Sequence, residues 1–285
     1  MVRPRFPPAA VGIESNSASV VQLDRARGGW VVRRAASVNL PAELIKPGFD
    51  RTNISDQTEA ARTLEDLVTS AGLLRQRKFS ASLPEAATRS AIVTIEGAAT
   101  SRRETEELFE WKVERSFGAP LSELRVSRRL EVLAEYESLF HTLRWHTGLI
   151  LPRHAGEEQW LRNGNRGDGL LLTAYEEGFT AVLMRGDRPL VVRSVFCEPA
   201  ECDDELHRIL LFYRDRAGAQ AEAAVDRLLV IGEQLDKKRV AEIAQDALGV
   251  NLKPLNAVDV GLLVPADSLK FDAIAAPAGL ARLAW

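Results

Sequence analysis

The sequence predicts an α/β protein of two lobes built on one duplicated plan, with a small α+β insertion in the first half. Three observations carry this reading. A three-strand meander occurs twice, an amphipathic helix follows each copy, and the chain has 285 residues, 46% of them hydrophobic, enough for two cores.

The first meander opens at Val11-Gly12-Ile13 and turns through Glu14-Ser15-Asn16-Ser17. It continues as Ala18 to Leu23, and after a polar turn from Asp24 to Gly29 ends in Trp30 to Arg34. The second runs Leu170 to Leu172, turns through Thr173-Ala174-Tyr175-Glu176-Glu177-Gly178, continues as Phe179 to Met184, and returns through Arg185-Gly186-Asp187-Arg188 into Pro189 to Arg193. Apolar, β-branched runs between short polar or glycine-bearing turns mark consecutive antiparallel strands.

After the first meander, Asp56 and Glu59 read as an N-terminal cap pair, Ala60, Leu64, Leu67 and Val68 fall at helical spacing, and Gly72 is the stop. After the second, Asp203 or Asp204 caps a helix with Leu206, Ile209, Leu210 and Tyr213 inward and Gly218 as its stop. The second unit then continues as a strand from Arg227 to Gly232. A helix with Val240, Ile243, Ala244, Ala247 and Leu248 inward follows and ends at Gly249, and a short strand is expected at Asn251 to Pro254.

Between the two units lies a stretch of different character, with a strand expected at Ala91 to Ile95 and a helix opened by the capping box Ser101-Arg102-Arg103-Glu104. This helix places Phe109, Val113 and Phe117 on one stripe with Leu108 beside them, and Gly118-Ala119-Pro120 ends it. Trp111 falls off the stripe. It either widens the buried face or projects as a partner-binding residue, for which an exposed Trp is a strong anchor. Tyr136 to Trp145 reads as a helix, Gly148 to Leu151 as a strand returning to the first lobe, and Asn163 to Gly169 as a linker. The expected division is a first lobe over 9–78, the abbreviated insertion over 79–130, the return and linker over 131–167 and a second lobe over 168–264. A C-terminal helix over 265–285 packs back on the first lobe.

Lys and Arg total 37 against 40 for Asp and Glu, a formal charge of −3, so no nucleic-acid partner is expected. No stretch approaches the roughly 18 uninterrupted apolar residues of a membrane helix, and the start MVRPRFPPAA lacks the apolar core of a signal peptide. The expectation is a cytoplasmic chain. Cys197 and Cys202, five apart, read as small buried apolar residues, with a redox pair as the other reading. His141, His146, His154 and His207 match no zinc spacing and read as ordinary surface or half-buried histidines, so no metal site is expected. No Gly-x-Ser-x-Gly elbow or complete P-loop occurs, and no catalytic residue is assigned. Arg3, Arg5, Arg25, Arg27, Arg33 and Arg34 read as solvated turns and strand ends rather than a lipid-facing patch.

Five stretches carry a resemblance to a known family: VGIESNSASVVQL (11–23), KPGFDRTNISD (46–56), FSASLPEAATRSAIV (79–93), SRRETEELFEWKVERSFGAPLSE (101–123) and FDAIAAPAGLA (271–281). The chain resembles the PilM family, actin-like proteins of the type IV pilus inner-membrane assembly platform. These are related in fold to FtsA and to the cytoplasmic domain of GspL. The resemblance implies the actin and hexokinase-like, ribonuclease H-like fold. It also implies a cytoplasmic protein peripheral to the inner membrane, which grips the short N-terminal tail of a PilN-like bitopic membrane protein in a groove between first lobe and insertion. It is compatible with a homo-oligomer.

In ATPases of this fold both meander turns carry Asp-x-Gly, where glycine lets backbone N–H groups close on phosphate and Asp organises Mg²⁺. Neither turn keeps it. The first offers Glu14, Asn16 and Ser17, with Asn16 tolerant of positive φ. The second places Tyr175 where bare backbone is required and Glu176 and Glu177 where they would repel polyphosphate. Of the glycine-rich adenosine loop only Gly232 is kept. Glu14, Asn16, Ser17 and Gly232 are therefore the residues of a degenerate nucleotide site, and the expected role is binding rather than catalysis. The alternatives are an ATP-binding and Mg²⁺-binding actin-like ATPase with Glu14 in place of the Asp, and an FtsA-like filament-forming division protein.

Overall fold

The computed structural model describes residues 6–90, 92, 101–117, 128–162, 167–217, 225–265 and 269–285. The first meander is β1 (Ala9–Ile13), β2 (Ser17–Ala26) and β3 (Gly29–Asn39), joined antiparallel. Helix α1 (Gln57–Ser70) follows. Asp56 caps it by accepting from the backbone N–H groups of Thr58 and Glu59, and its buried face is Ala60, Ala61, Leu64, Leu67 and Val68. Strand β4 (Lys78–Leu83) then pairs parallel to β1, and β5 (His146–Pro152) parallel to β4.

The second meander is β6 (Asp168–Tyr175), β7 (Gly178–Arg185) and β8 (Arg188–Phe196). Helix α5 (Cys202–Ala217), strand β9 (Val225–Ile231) and helix α6 (Lys237–Leu248) complete the unit, with β9 parallel to β6. The helices between the two units are α2 (Arg102–Phe117), α3 (Arg128–Thr142) and the short α4 (Arg153–Glu157). The chain closes with β10 (Leu262–Leu263) and α7 (Phe271–Arg282). The two sheets have the orders β10-β3-β2-β1-β4-β5 and β8-β7-β6-β9.

Because successive strand side chains face opposite ways, each central strand is apolar on both faces and serves two cores. Val11, Val20, Leu64 and Phe140 belong to a core under the first sheet, and Leu170, Leu172, Leu210 and Ala244 to one under the second. A third core holds Val21 and Leu23 of the first sheet, Leu171, Val182 and Leu229 of the second, and Ile274 and Ala278 of α7. It joins the two lobes. The Ala-Pro-Ala-Gly run of α7 reflects this position: a Cβ on Gly279 would collide with the carbonyl of Gly156 in α4, and one on Gly156 with the carbonyl of Ala276. Two helices meet there backbone to backbone.

The second meander turn is shorter than the sequence suggests. Thr173, Ala174 and Tyr175 continue β6, and only Glu176 and Glu177 turn, because Tyr175 pairs with Gly178 and folds its ring edge-on against Phe196. Neither Asp203 nor Asp204 is a cap. Helix α5 starts one residue earlier, at Cys202, and both acids lie in its first turn, where negative charge suits the helix dipole. The short strand expected at Asn251 to Pro254 is a single bridge to β9, Leu228 to Pro254, and the later strand Leu262–Leu263 pairs with β3 in the first sheet, not with the second.

In α2, Ser101 caps Glu104 at 3.2 Å, but Leu108, Phe109 and Trp111 are exposed by 36, 45 and 53%. Of the expected Phe109-Val113-Phe117 stripe, Phe109 is exposed and Val113 only partly buried, and the side chain of Phe117 lies outside the described residues. Cys197 and Cys202 do not stand as separate thiols. They form a disulfide across the turn from β8 to α5, where a Cα separation of 5.7 Å lies in the bridging range. The strand expected at Ala91 to Ile95, the stops at Gly118-Ala119-Pro120 and Gly218, Arg3 and Arg5, and the first part of the linker lie outside the described residues. No described helix is long and apolar enough to cross a membrane.

Candidate functional site

Two concavities matter. The larger, about 720 Å³, lies between the lobes and is lined by Glu14, Asn16 and Ser17 of the first meander turn, by Gly232 after β9, and by Tyr175 and Asp272. The fold thus brings together the four residues expected of a nucleotide site, three from the first meander turn and one from the loop after β9. The turn conformation differs from the expectation in one respect: outside glycine only Glu43 and Arg144 take positive φ among the described residues, so Asn16 does not use its tolerance for it. The turn is closed by Glu14 N–H donating to the Ser17 carbonyl at 2.8 Å.

Sequence reasoning missed the residue at the centre of this cleft. Arg153, at the start of α4, donates Nε to Glu157 Oε1 at 2.7 Å, and Nη1 to both Glu14 Oε2 and the Ala174 carbonyl at 3.3 Å. Its guanidinium therefore ties β1, α4 and β6 together. Burial acts to lower its affinity for the proton, but the carboxylates of Glu14 and Glu157 outweigh that and hold it charged. Burial pushes the Glu14 carboxyl up to about 7 against the opposing pull of Arg153, and raises Glu157 as well. Thr173 donates its hydroxyl to the other Glu157 oxygen.

Next to this triad, His154 is buried, which corrects its reading as a surface or half-buried residue. Its Nδ1 lies 2.6 Å from Glu85 Oε1, and its backbone N–H donates to Glu85 Oε2 at 3.2 Å. Burial works against ionising either partner, yet each charge holds the other: Glu85 titrates below the usual carboxylate range and His154 above the usual histidine range. The only sequence hint of the network was an Arg-His pair opening a short helix after Pro152.

Several polar groups of the cleft are already engaged within the chain. The carboxylate of Glu14 that could approach a cation or its waters already faces Arg153. The N–H of Gly232, one donor left by the glycine loop, is accepted by Asp272 Oδ2 at 3.2 Å, and Lys237 pairs with the same carboxylate at 3.1 Å. Glu176 also lines the cleft, whereas Glu177 lies outside its lining, 4.0 Å from Arg51. Gly232 has a sufficient structural reason to be glycine, with φ of 108° and a close approach to the Ala174 carbonyl.

The second concavity, about 260 Å³, lies at the edge of the first lobe and is lined by Phe49, Leu83, Arg89, Val132, Ile150 and Pro152. Arg89 stands over both the Phe49 ring at 5.3 Å and the Phe196 ring at 5.7 Å, so a wall of this groove also touches the second lobe. Trp111 is exposed on α2, with Arg115 over its ring at 5.4 Å, and is not among the lining residues of either concavity.

No family model and no curated protein matches the sequence. Solved structures do match. A chain of the PilM-PilN type IV pilus biogenesis complex is 18% identical, with 98% of each chain covered and a TM-score of 0.70. The ethanolamine utilization protein EutJ from Carboxydothermus hydrogenoformans is 10% identical, over 99% of this chain and 92% of its own, at a TM-score of 0.49. A ROK hexokinase from Thermus thermophilus is 14% identical, over 96 and 97%, at 0.39. The full-length superposition on the first, together with the two sheets facing across a cleft, gives the chain the actin-like fold in the form that the PilM-PilN structure displays.

Proposed function

We propose that the protein is an actin-like adaptor of a type IV pilus or related inner-membrane assembly platform. It holds the short cytoplasmic tail of a PilN-like bitopic membrane protein and is peripheral to the membrane through that partner. The observation that carries this is the end-to-end likeness, at a TM-score of 0.70, to a chain of a PilM-PilN complex. The cleft supports binding over catalysis, because its carboxylates and its glycine N–H are engaged by groups of the same chain. The groove lined by Phe49, Leu83, Val132 and Ile150 suits an apolar tail, with Arg89 at its wall to receive a carboxylate or the tail's backbone carbonyls.

The test is a pull-down with cytoplasmic N-terminal segments of small bitopic proteins encoded beside this gene, with calorimetry against Mg-ATP alongside. Capture of one tail, abolished by Ile150→Asp, and no submillimolar Mg-ATP affinity are expected. Failure of every tail to bind would remove the adaptor reading, and submillimolar Mg-ATP affinity lost in Glu14→Ala would replace it with an ATPase.

A further inference from the structure

The duplicated plan allows an internal comparison of sheet edges. In the first lobe the third meander strand, β3, does not end its sheet, because β10 runs parallel beside it with Leu262 opposite Trp30 and Leu263 opposite Val31. In the second lobe the equivalent strand, β8, is the last of its sheet, and among the described residues no strand pairs with its outer side. An unpaired edge presents a row of N–H and C=O groups that can template a further strand. Proteins blunt such edges with proline or bulges. Here Pro189 and the register shift at Leu183/Met184 blunt only the first residues of β8, and the pairing from Val191 to Phe196 is regular.

Beside this edge runs a groove of about 490 Å³ between β8 and α5, lined by Leu183, Val191, Ile209 and Phe212, the last 53% exposed. Arg185, Arg193 and Arg208 also line it. Arg185 reaches Asp168 at 3.3 Å and Arg208 reaches Glu205 at 3.0 Å, so two carboxylates stand against three guanidinium groups. The excess cation lies on the edge strand itself, at Arg193. The sequence Arg188-Pro-Leu-Val-Val-Arg-Ser-Val-Phe196 contains no acidic residue. Pairing β8 of one copy with β8 of another would therefore bring arginines together without compensation, which disfavours a second copy of this chain as the occupant.

We infer that this edge and groove take an extended segment of a partner protein that carries apolar residues and Asp or Glu together on one face, at every second position, added as a fifth strand to the second sheet. Backbone hydrogen bonds to β8 supply affinity. On one face of that strand apolar side chains enter the groove beside Val191 and Phe212, and carboxylates at other positions of the same face meet Arg193, Arg185 and Arg208. The surface belongs to the second lobe and shares no lining residue with the groove at Phe49, so it adds a second contact to the adaptor.

The test uses the full chain and a displayed library of random dodecapeptides. The enriched sequences are expected to carry apolar and acidic residues at positions two apart, on one face of an extended strand. A synthetic peptide of the consensus should slow hydrogen exchange across 188–196, and Arg193→Glu should weaken its binding about tenfold or more while the circular dichroism spectrum is unchanged. The inference is overturned if nothing enriches over the uncoated surface, if the selected peptides protect another region, or if Arg193→Glu binds them equally well. Protection of 188–196 by concentration-dependent dimerisation without peptide would assign the edge to a second copy and overturn it too.

Discussion

Arg153 Nη1 lies 3.3 Å from Glu14 Oε2, joining the start of α4 to the end of β1 at the floor of the interlobe cleft. With Glu157 fully buried on its other side, the guanidinium is the charge that makes two neighbouring carboxylates tolerable. Removing one partner of such a cluster leaves buried charge uncompensated. Arg153→Met should therefore cost about 3–5 kcal/mol in urea unfolding. The double variant Arg153→Met/Glu157→Leu should recover most of that loss, since it removes the charge as well as its partner.

The pH dependence of stability has a definite sign. The Glu14 carboxyl rises from 4.5 to about 7 on folding, so the folded chain holds a proton that the unfolded chain releases. Its contribution is fully present below pH 4.5 and is lost as pH rises to 7. His154, raised above 6.5, adds a loss that begins there and runs to higher pH, whereas Glu85, lowered, loses its contribution as pH falls below 4.5. Stability should thus peak on the acid side of neutrality. Glu14→Gln should flatten the decline between pH 4.5 and 7 and leave the fall above it, as read by chemical denaturation across pH.

The crossing of α4 and α7 has no room for a side chain at Gly279. Gly279→Ala forces apart helices that share the core joining the lobes, and overpacking of this kind costs about 1–3 kcal/mol. A drop in melting temperature is expected, with hydrogen exchange in α7 and β1 accelerated together. An unchanged melting temperature would show that the two helices slide apart freely.

Trp111 is more than half exposed and contributes to none of the three cores. Trp111→Ala should change unfolding free energy by no more than about 0.5 kcal/mol. If α2 contributes to holding the partner tail, the same variant should weaken tail binding about tenfold or more, as large exposed aromatics do when they anchor an interface. Tail binding at the wild-type level would take Trp111 out of the interface.

The Cys197–Cys202 bridge closes a short loop between β8 and α5. For a loop of this length the chain-entropy relation gives about 2 kcal/mol. Reduction should lower stability by that amount, with the loss concentrated in exchange at the N-terminus of α5, and Cys197→Ser/Cys202→Ser should match the reduced protein.

The two meanders, the helix after each, the Asp56 cap and the left-handed Gly249 stop were legible in the sequence, because each depends on contacts within a few residues. Periodicity of two or of 3.6, and the φ that only glycine takes freely, are written locally. Three of the four cleft residues were legible for a related reason: Glu14, Asn16 and Ser17 lie within one local turn.

What the sequence alone determined, then, is the duplicated α/β plan and the absence of the phosphate glycines from its turns. The tertiary structure decided which charged groups meet in the cleft. Glu14 and Arg153 are 139 residues apart, and His154 and Glu85 are 69 apart, and no local pattern encodes either pair. It also decided that Tyr175 belongs to a strand and not to a turn, that Leu262–Leu263 covers one sheet edge while β8 keeps its own open, and that the cysteines meet. Each of these rests on which groups folding takes out of water together, and that is set by the packing of whole elements.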